Sequence, residues 1–364
     1  MSNIHPHQLR VLMVNRPNAE GLPGGDLVQM NETAVELRKI GVQVSISHEL
    51  RPKLNDFDIV HAFNLETPAT TMIQVAWAKA AGTPVALSPI FFDMPDEVRF
   101  ANFYHYGRWP VEKRLVGKKI SYIVYNHLHH QLLKQQRALL LQVDRLLPNS
   151  RLEAENINKV FPTAANIPFN VVTNGVRAEQ FRDGDRRMFL NKYGVSDFLL
   201  VVGRLGYLKN QLQLLKALRG WNHPIVLIGQ EPDKLYARAC HREARGRKNI
   251  TFIPHLPQAE LKHAYAAARV HALPSQKETV GLVSMEAAVA GCRIVVSPVG
   301  GQREYFHEWA EYCDPNNIES IRVAVERAWE KPSSEELADY ISGYHNWNTA
   351  AKQTLAAYQQ TLNQ

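Results

Sequence analysis

Two glutamates with seven residues between them, Glu278 and Glu286, bracket a change of local pattern in the stretch KETVGLVSMEAAVAG. On one continuous helix, eight positions would put the two carboxylates on different faces, about 12 Å apart. The residues predict something else. The strand-like RVHALPS ends at Ser275, Glu278 follows in a loop, and a helical pattern runs from about Leu282 to Ala290, stopping at Gly291. Gly281 lets the backbone turn closely. With Glu278 in the loop and Glu286 on the helix, both can reach one ligand from two sides. Between them lie the amides of Gly281, Leu282, Val283 and Ser284, which a helix start leaves unpaired and which suit a phosphate. A carboxylate suits hydroxyl groups, as an acceptor. Phosphate flanked by hydroxyl-rich groups describes a nucleotide sugar. A helix-capping Glu278 and a surface Glu286 are the plainer alternative, and spacing leaves both open.

Two further clusters follow strands. In VVGRLGYLKNQ a strand ends at Gly203, and Arg204 and Lys209 precede the next helix. A planar bidentate donor and a point charge beside a glycine turn could clamp a diphosphate. A solvent-exposed basic loop is the alternative, and the P-loop pattern is absent. In RPNAEGLPGGDLVQM, Gly24 and Gly25 sit where the first strand hands over to the first helix. They could let amides approach an anion or simply form a flexible turn. The absence of G-x-G-x-x-G argues against a dinucleotide dehydrogenase.

The elements that must carry these loops alternate. LRVLMVN, VQVSIS, FDIVHAFN and TPVALSPIFF read as strands separated by helices, and the stretch from Arg99 to Leu141 reads as basic and mostly helical. VDRLLPNS reads as a further strand. The pattern restarts with DFLLVVGRL, HPIVLIG, NITFIPHL, RVHALPS and CRIVVSP. Alternation of this kind predicts two α/β units in tandem, each with a parallel sheet, and ligands at the carboxyl ends of the strands. The last segment, NTAAKQTLAAYQQTL, reads as an amphipathic helix.

Composition fits that picture. The chain has 364 residues, 45% of them hydrophobic and 21% charged, enough for two ordinary domains. Cys240, Cys292 and Cys313 show no paired spacing, which favours a reducing cytoplasm over a disulfide framework or a zinc site. No signal peptide or membrane span is expected. The net charge of +7 is uneven: residues 99–151 hold ten Lys and Arg against Glu112 and Asp144. Such a face attracts an anionic membrane or substrate, or is surplus exposed lysine. No nucleic-acid module accompanies it.

Taken in order, PGGD, FDIVHAFN, VDRLLPNS, VVTNGVRAEQF, VVGRLGYLKNQ, the ALPS lead-in with E-x7-E, and VSPVGGQREYF resemble the retaining glycosyltransferases of family 4, across nearly the whole chain. The resemblance implies a GT-B fold, two Rossmann-like domains facing each other across a cleft. Residues 1–170 would form an acceptor-binding domain, 171–344 a donor-binding domain, and the helix at 345–364 would pack back on the first. It implies transfer of a hexose from a UDP- or GDP-sugar to an acceptor hydroxyl, with retention of configuration, in cell-surface glycan synthesis. By the same resemblance Glu286 holds the ribose hydroxyls and Glu278 the transferred sugar, while Arg204 and Lys209 bind the diphosphate. Gly203, Thr279, Gly281, Leu282 and Val283 complete the donor site, approached by Gly24 and Gly25. Preorganised donors aimed at charge developing on the β-phosphate would lower the barrier. No cofactor or metal is expected, since Arg204 and Lys209 take that role. Gly300, Gly301 and Glu304 match a turn and helix of the family.

One departure stands out. Many members carry a His-Asp pair after the fourth strand, where this chain reads ALSPIFFDM. Asp93 is present, and His61 and His105 are the substitutes on offer for an acceptor-side group. A glycan or lipid-linked acceptor is expected, with residues 99–151 resting on an anionic membrane from the cytoplasmic side. The competing readings are a sugar-nucleotide epimerase and a non-catalytic subunit of the same fold that binds sugar nucleotide or a partner transferase.

Overall fold

A computed structural model describes residues 9–21, 24–106, 113–332 and 335–363. Short apolar runs form two sheets in which every pairing is parallel. The first contains β1 (Arg10–Val14), β2 (Gln43–Ser47), β3 (Ile59–Phe63), β4 (Val85–Ser88) and β5 (Arg145–Leu146), in the order β2-β1-β3-β4-β5. The second contains β6 (Phe198–Val202), β7 (Ile225–Ile228), β8 (Ile250–Ile253), β9 (Ala268–Leu273), β10 (Arg293–Val296) and β11 (Glu311–Tyr312), in the order β11-β10-β9-β6-β7-β8. Strands β3, β4, β6 and β7 are buried along their whole length. That is the signature of a parallel sheet covered by helices on both faces, and it explains why their sequences are unbroken apolar runs.

Strand order locates the site. Numbered from β6, the second sheet reads 3-2-1-4-5-6, the dinucleotide-fold order, and the first reads 2-1-3-4-5. In such sheets connections leave in opposite directions at one place, opening a crevice beyond the carboxyl ends. Those places are between β1 and β3 and between β6 and β9.

The chain divides into two units, Met1–Asp93 with Ile123–Gly175 and His345–Gln364, and Met94–Tyr122 with Val176–Tyr344. Residues 94–122, placed by sequence in the first domain, group with the second unit. Within it the turn Asn102–Tyr106 packs against the turn Tyr207–Lys209. In the first unit, the C-terminal helix Trp347–Leu362 packs against Gly25–Lys39. Its Thr361 accepts a hydrogen bond from the buried Arg145 at 2.9 Å. Arg145 therefore belongs to the interior and not to the basic surface expected over 99–151. Arg108 and Glu112 of that surface lie outside the described residues.

Candidate functional site

The β6 and β9 loops meet at the reversal point of the second sheet. After β6 the chain passes Gly203 and the exposed Arg204, then forms a turn at Tyr207–Lys209. Asn210 ends the turn in the left-handed region (φ 63°), a conformation asparagine tolerates better than most residues. Its Nδ2 donates to the carbonyls of Pro274 (3.0 Å) and Pro315 (2.7 Å), binding the β6 loop to the β9 loop. Gln211 Nε2 donates to the carbonyl of Arg204 at 3.0 Å, and the Gln276 amide donates to the Leu208 carbonyl at 2.8 Å. Thus clamped, Lys209 Nζ donates to Glu278 Oε2 at 2.5 Å, with both side chains mostly covered. The guanidinium of Arg204 has no side-chain partner among the described residues.

Val280 explains how the β9 loop presents its groups. It is fully buried in the second unit's core and anchors the segment between Glu278 and Gly281. Gly281 then takes φ 81°, a left-handed position that costs glycine nothing. The helix Leu282–Val289 starts there, with no side-chain cap on its first amides. The Ser284 amide is not among the free ones: it donates to the Gly281 carbonyl at 2.8 Å. The expected set of four amides shrinks to Gly281, Leu282 and Val283. A second close approach fixes the loop from behind. A Cβ on Gly300 would lie 2.0 Å from the Glu278 carbonyl oxygen, and the Gly301 amide donates to the Thr279 carbonyl at 2.7 Å.

Neither plainer role for the glutamates is observed. The helix start has no side-chain cap, so Glu278 does not cap it. Glu286 is no free surface acid: its Oε2 accepts from the buried Tyr265 hydroxyl at 2.8 Å, and burial pushes its pKa up to about 7 against the opposing effect of that hydrogen bond. Glu278 and Lys209 are therefore in contact, Arg204 lies in the same loop as Lys209, and Glu286 stands one helical turn further along, turned to Tyr265.

The residues named in the first unit fare differently. Gly24 caps the helix Gly25–Lys39, but the space beside it holds Asp26, whose carboxylate accepts from Arg16 Nε at 3.2 Å and from Asn64 Nδ2 at 3.3 Å. His61 is 1% exposed, with Nδ1 bonded to the Tyr358 hydroxyl (2.7 Å) and Nε2 to the Ser88 hydroxyl (2.9 Å). Burial drops its pKa to about 3. Its ring is thus packed in the core, held between Ser88 and Tyr358. Asp93 is held by Lys159 Nζ at 2.7 Å. His105 is exposed on the turn Asn102–Tyr106 and borders a cavity of about 240 Å³ with Phe100, Tyr104, Lys118 and Tyr122. Partial burial, then Lys118, lower its pKa.

Residues 181–347, which hold both loops and both glutamates, match the family model described as Glycosyl transferases group 1. The D-inositol 3-phosphate glycosyltransferase of Thermobifida fusca is 28% identical over 254 residues, covering 62% of this chain and 57% of that protein. The chain thus spans a little over half the length of such relatives. Among solved structures, sucrose-phosphate synthase from Thermosynechococcus elongatus superposes with a TM-score of 0.75 at 15% identity, over 97% of this chain and 98% of that one. Anabaena HepE, solved in complex with UDP and glucose, gives 0.65 at 15% identity over 98% and 97%. The fold is GT-B, with two parallel α/β sheets, and most of the second unit falls within the stretch that matches the Glycosyl transferases group 1 model.

Proposed function

We propose that the protein is a retaining glycosyltransferase that moves a hexose from a UDP- or GDP-sugar to an acceptor hydroxyl. The observation that carries this reading is the Lys209–Glu278 pair, which joins two loops at the reversal point of a dinucleotide-type sheet, beside an unpaired Arg204 and a helix start. In the mechanism, Arg204 and Lys209 bind the diphosphate, with the amides of Gly281, Leu282 and Val283 sharing its charge. Donor entry releases Glu278 from Lys209, and Glu278 then orients the transferred sugar by accepting from its hydroxyls. Glu286 accepts from the ribose hydroxyls. As the glycosidic bond breaks, negative charge grows on the β-phosphate, and these fixed cations and amides stabilise it without a metal. The donor phosphate takes the acceptor proton.

Incubation with a panel of UDP- and GDP-sugars, with and without candidate glycan acceptors, tests the reading. Acceptor-dependent release of UDP or GDP is expected. An altered free nucleotide sugar formed without acceptor would indicate an epimerase. Binding with no turnover would indicate a non-catalytic subunit, a reading favoured by the loss of His61 to the core.

The acceptor side is proposed to work at a membrane surface from the cytoplasm. No described helix is long and apolar enough to cross a membrane. Within the first unit, the helical stretch over residues 123–140 exposes Lys134 and Arg137 together with Ile123 and Leu128. Each such cation near an anionic bilayer contributes about 1 kcal/mol. Sedimentation with anionic vesicles at low salt is expected, and full solubility in that assay would remove the membrane from the account.

A further inference from the structure

Behind the start of the helix Leu282–Val289 lies a buried polar layer that the donor site does not use. Gln302 is 0% exposed, and among the described residues neither its amide oxygen nor its nitrogen has a hydrogen-bond partner. A buried amide without partners is costly, and proteins rarely keep one. Gln302 follows the Gly300–Gly301 turn that abuts Glu278 and Thr279, and its Oε1 lies 3.3 Å from where a Cβ on Gly281 would sit. The Ser284 hydroxyl lies 3.4 Å from the same point and bonds His271 Nε2 at 3.2 Å. His271 is fully buried too, and its Nδ1 is unpaired. Burial, then the nearby Lys209, lowers the His271 pKa to about 3, so this layer is neutral.

Two separate features therefore face one place: a helix start whose first amides are free, and a buried amide aimed at Gly281 with nothing to bind. We propose that Gln302 is a positioning residue for the donor diphosphate. When phosphate occupies the helix start, the Gln302 side-chain amide reorients against the anchored Glu278–Gly281 segment. Gln302 then gains the backbone partners it lacks in the free protein and holds Gly281, Leu282 and Val283 with their amides on the phosphate. This rests on the donor-site reading above and adds to it a residue that never touches the reacting atoms.

Gln302→Met, nearly the same size without hydrogen-bonding groups, provides the test, with UDP and GDP as calorimetric probes and the melting temperature as control. The expected result is a melting temperature equal to or above wild type, because a buried unpaired amide is gone. Affinity for the preferred nucleotide should fall about tenfold, the upper size of one lost neutral hydrogen bond. The KM for the nucleotide sugar should rise in parallel, with kcat changed less than about twofold. Gln302→Asn, which keeps a neutral amide with one methylene less reach, should recover part of the affinity, and it carries the same comparison if the Met variant does not fold. Wild-type affinity and KM in a folded Gln302→Met protein would overturn the proposal. If the wild-type protein itself binds neither nucleotide, the donor-site reading falls first, and this inference falls with it.

Discussion

The two sheets reverse their strand order in the same way but fill the resulting crevices differently. At the first, between β1 and β3, Arg16 and Asn64 converge on Asp26 beside Gly24, and the carboxylate is nearly buried. Positive and negative groups there satisfy each other. At the second, between β6 and β9, Lys209 is matched by Glu278, Arg204 is unmatched, and Gln302 is buried without partners. Shared topology gives each sheet a place to bind something. Local residues decide whether that place is filled by the chain or left for a ligand. On the proposed reading, one crevice serves stability and the other binding.

The comparison breaks most visibly under substitution of its cations. Lys209→Ala or Arg204→Ala should each lower transfer by about 10²- to 10³-fold, the size expected for losing one preorganised donor, and Arg204→Ala, which breaks no ion pair, should leave the melting temperature unchanged. Steady-state kinetics with thermal melts separates the two effects. Arg16→Ala should do the reverse. It leaves a nearly buried carboxylate without its cation, which costs roughly 3–5 kcal/mol in buried pairs, and here the lower end, because Arg16 keeps some exposure. Chemical denaturation reads that loss. Should Arg16→Ala leave stability intact while Lys209→Ala unfolds the protein, the assignment of the two crevices is inverted.

A smaller effect sharpens the second crevice. The Glu286 pKa of about 7 in the folded protein is above its ordinary value of 4.5, so the folded state holds that proton more tightly. Its stabilising share is full below about pH 4.5 and is lost as the pH rises through 7. Glu286→Gln keeps an acceptor for Tyr265 and removes the titration. The variant should be more stable than wild type at pH 8, by on the order of 1–2 kcal/mol once the solvent-facing part of Glu286 is allowed for, and should lose the dependence between pH 5 and 8. Denaturation curves across that range would contradict the burial of this carboxyl if the two proteins ran parallel.

The sheets and the site loops were legible because they are local. Unbroken apolar runs such as FLLVV and IVLI can only be covered strands, and the loops after them carry the charges that no core would accept. Gly281 marked the helix start because its position demands a left-handed backbone. What stayed hidden depends on partners far away in the chain. His61 looks like a ligand until Tyr358, 297 positions on, takes its Nδ1. Arg145 reads as part of a basic face until Thr361 holds it inside. Tyr265 and Gln302 show no chemistry of their own in the sequence, and only the folded chain puts one against Glu286 and the other behind Gly281.

The most direct measurement is thermal melting with UDP, GDP and their sugars, on wild type and on an Arg204→Ala/Lys209→Ala double variant. Ligand that binds only the folded state raises the midpoint by mass action. The account predicts a concentration-dependent rise for one nucleotide series with wild type and none with the double variant. An equal rise in both proteins, or no rise with any nucleotide, would contradict a donor site between β6 and β9.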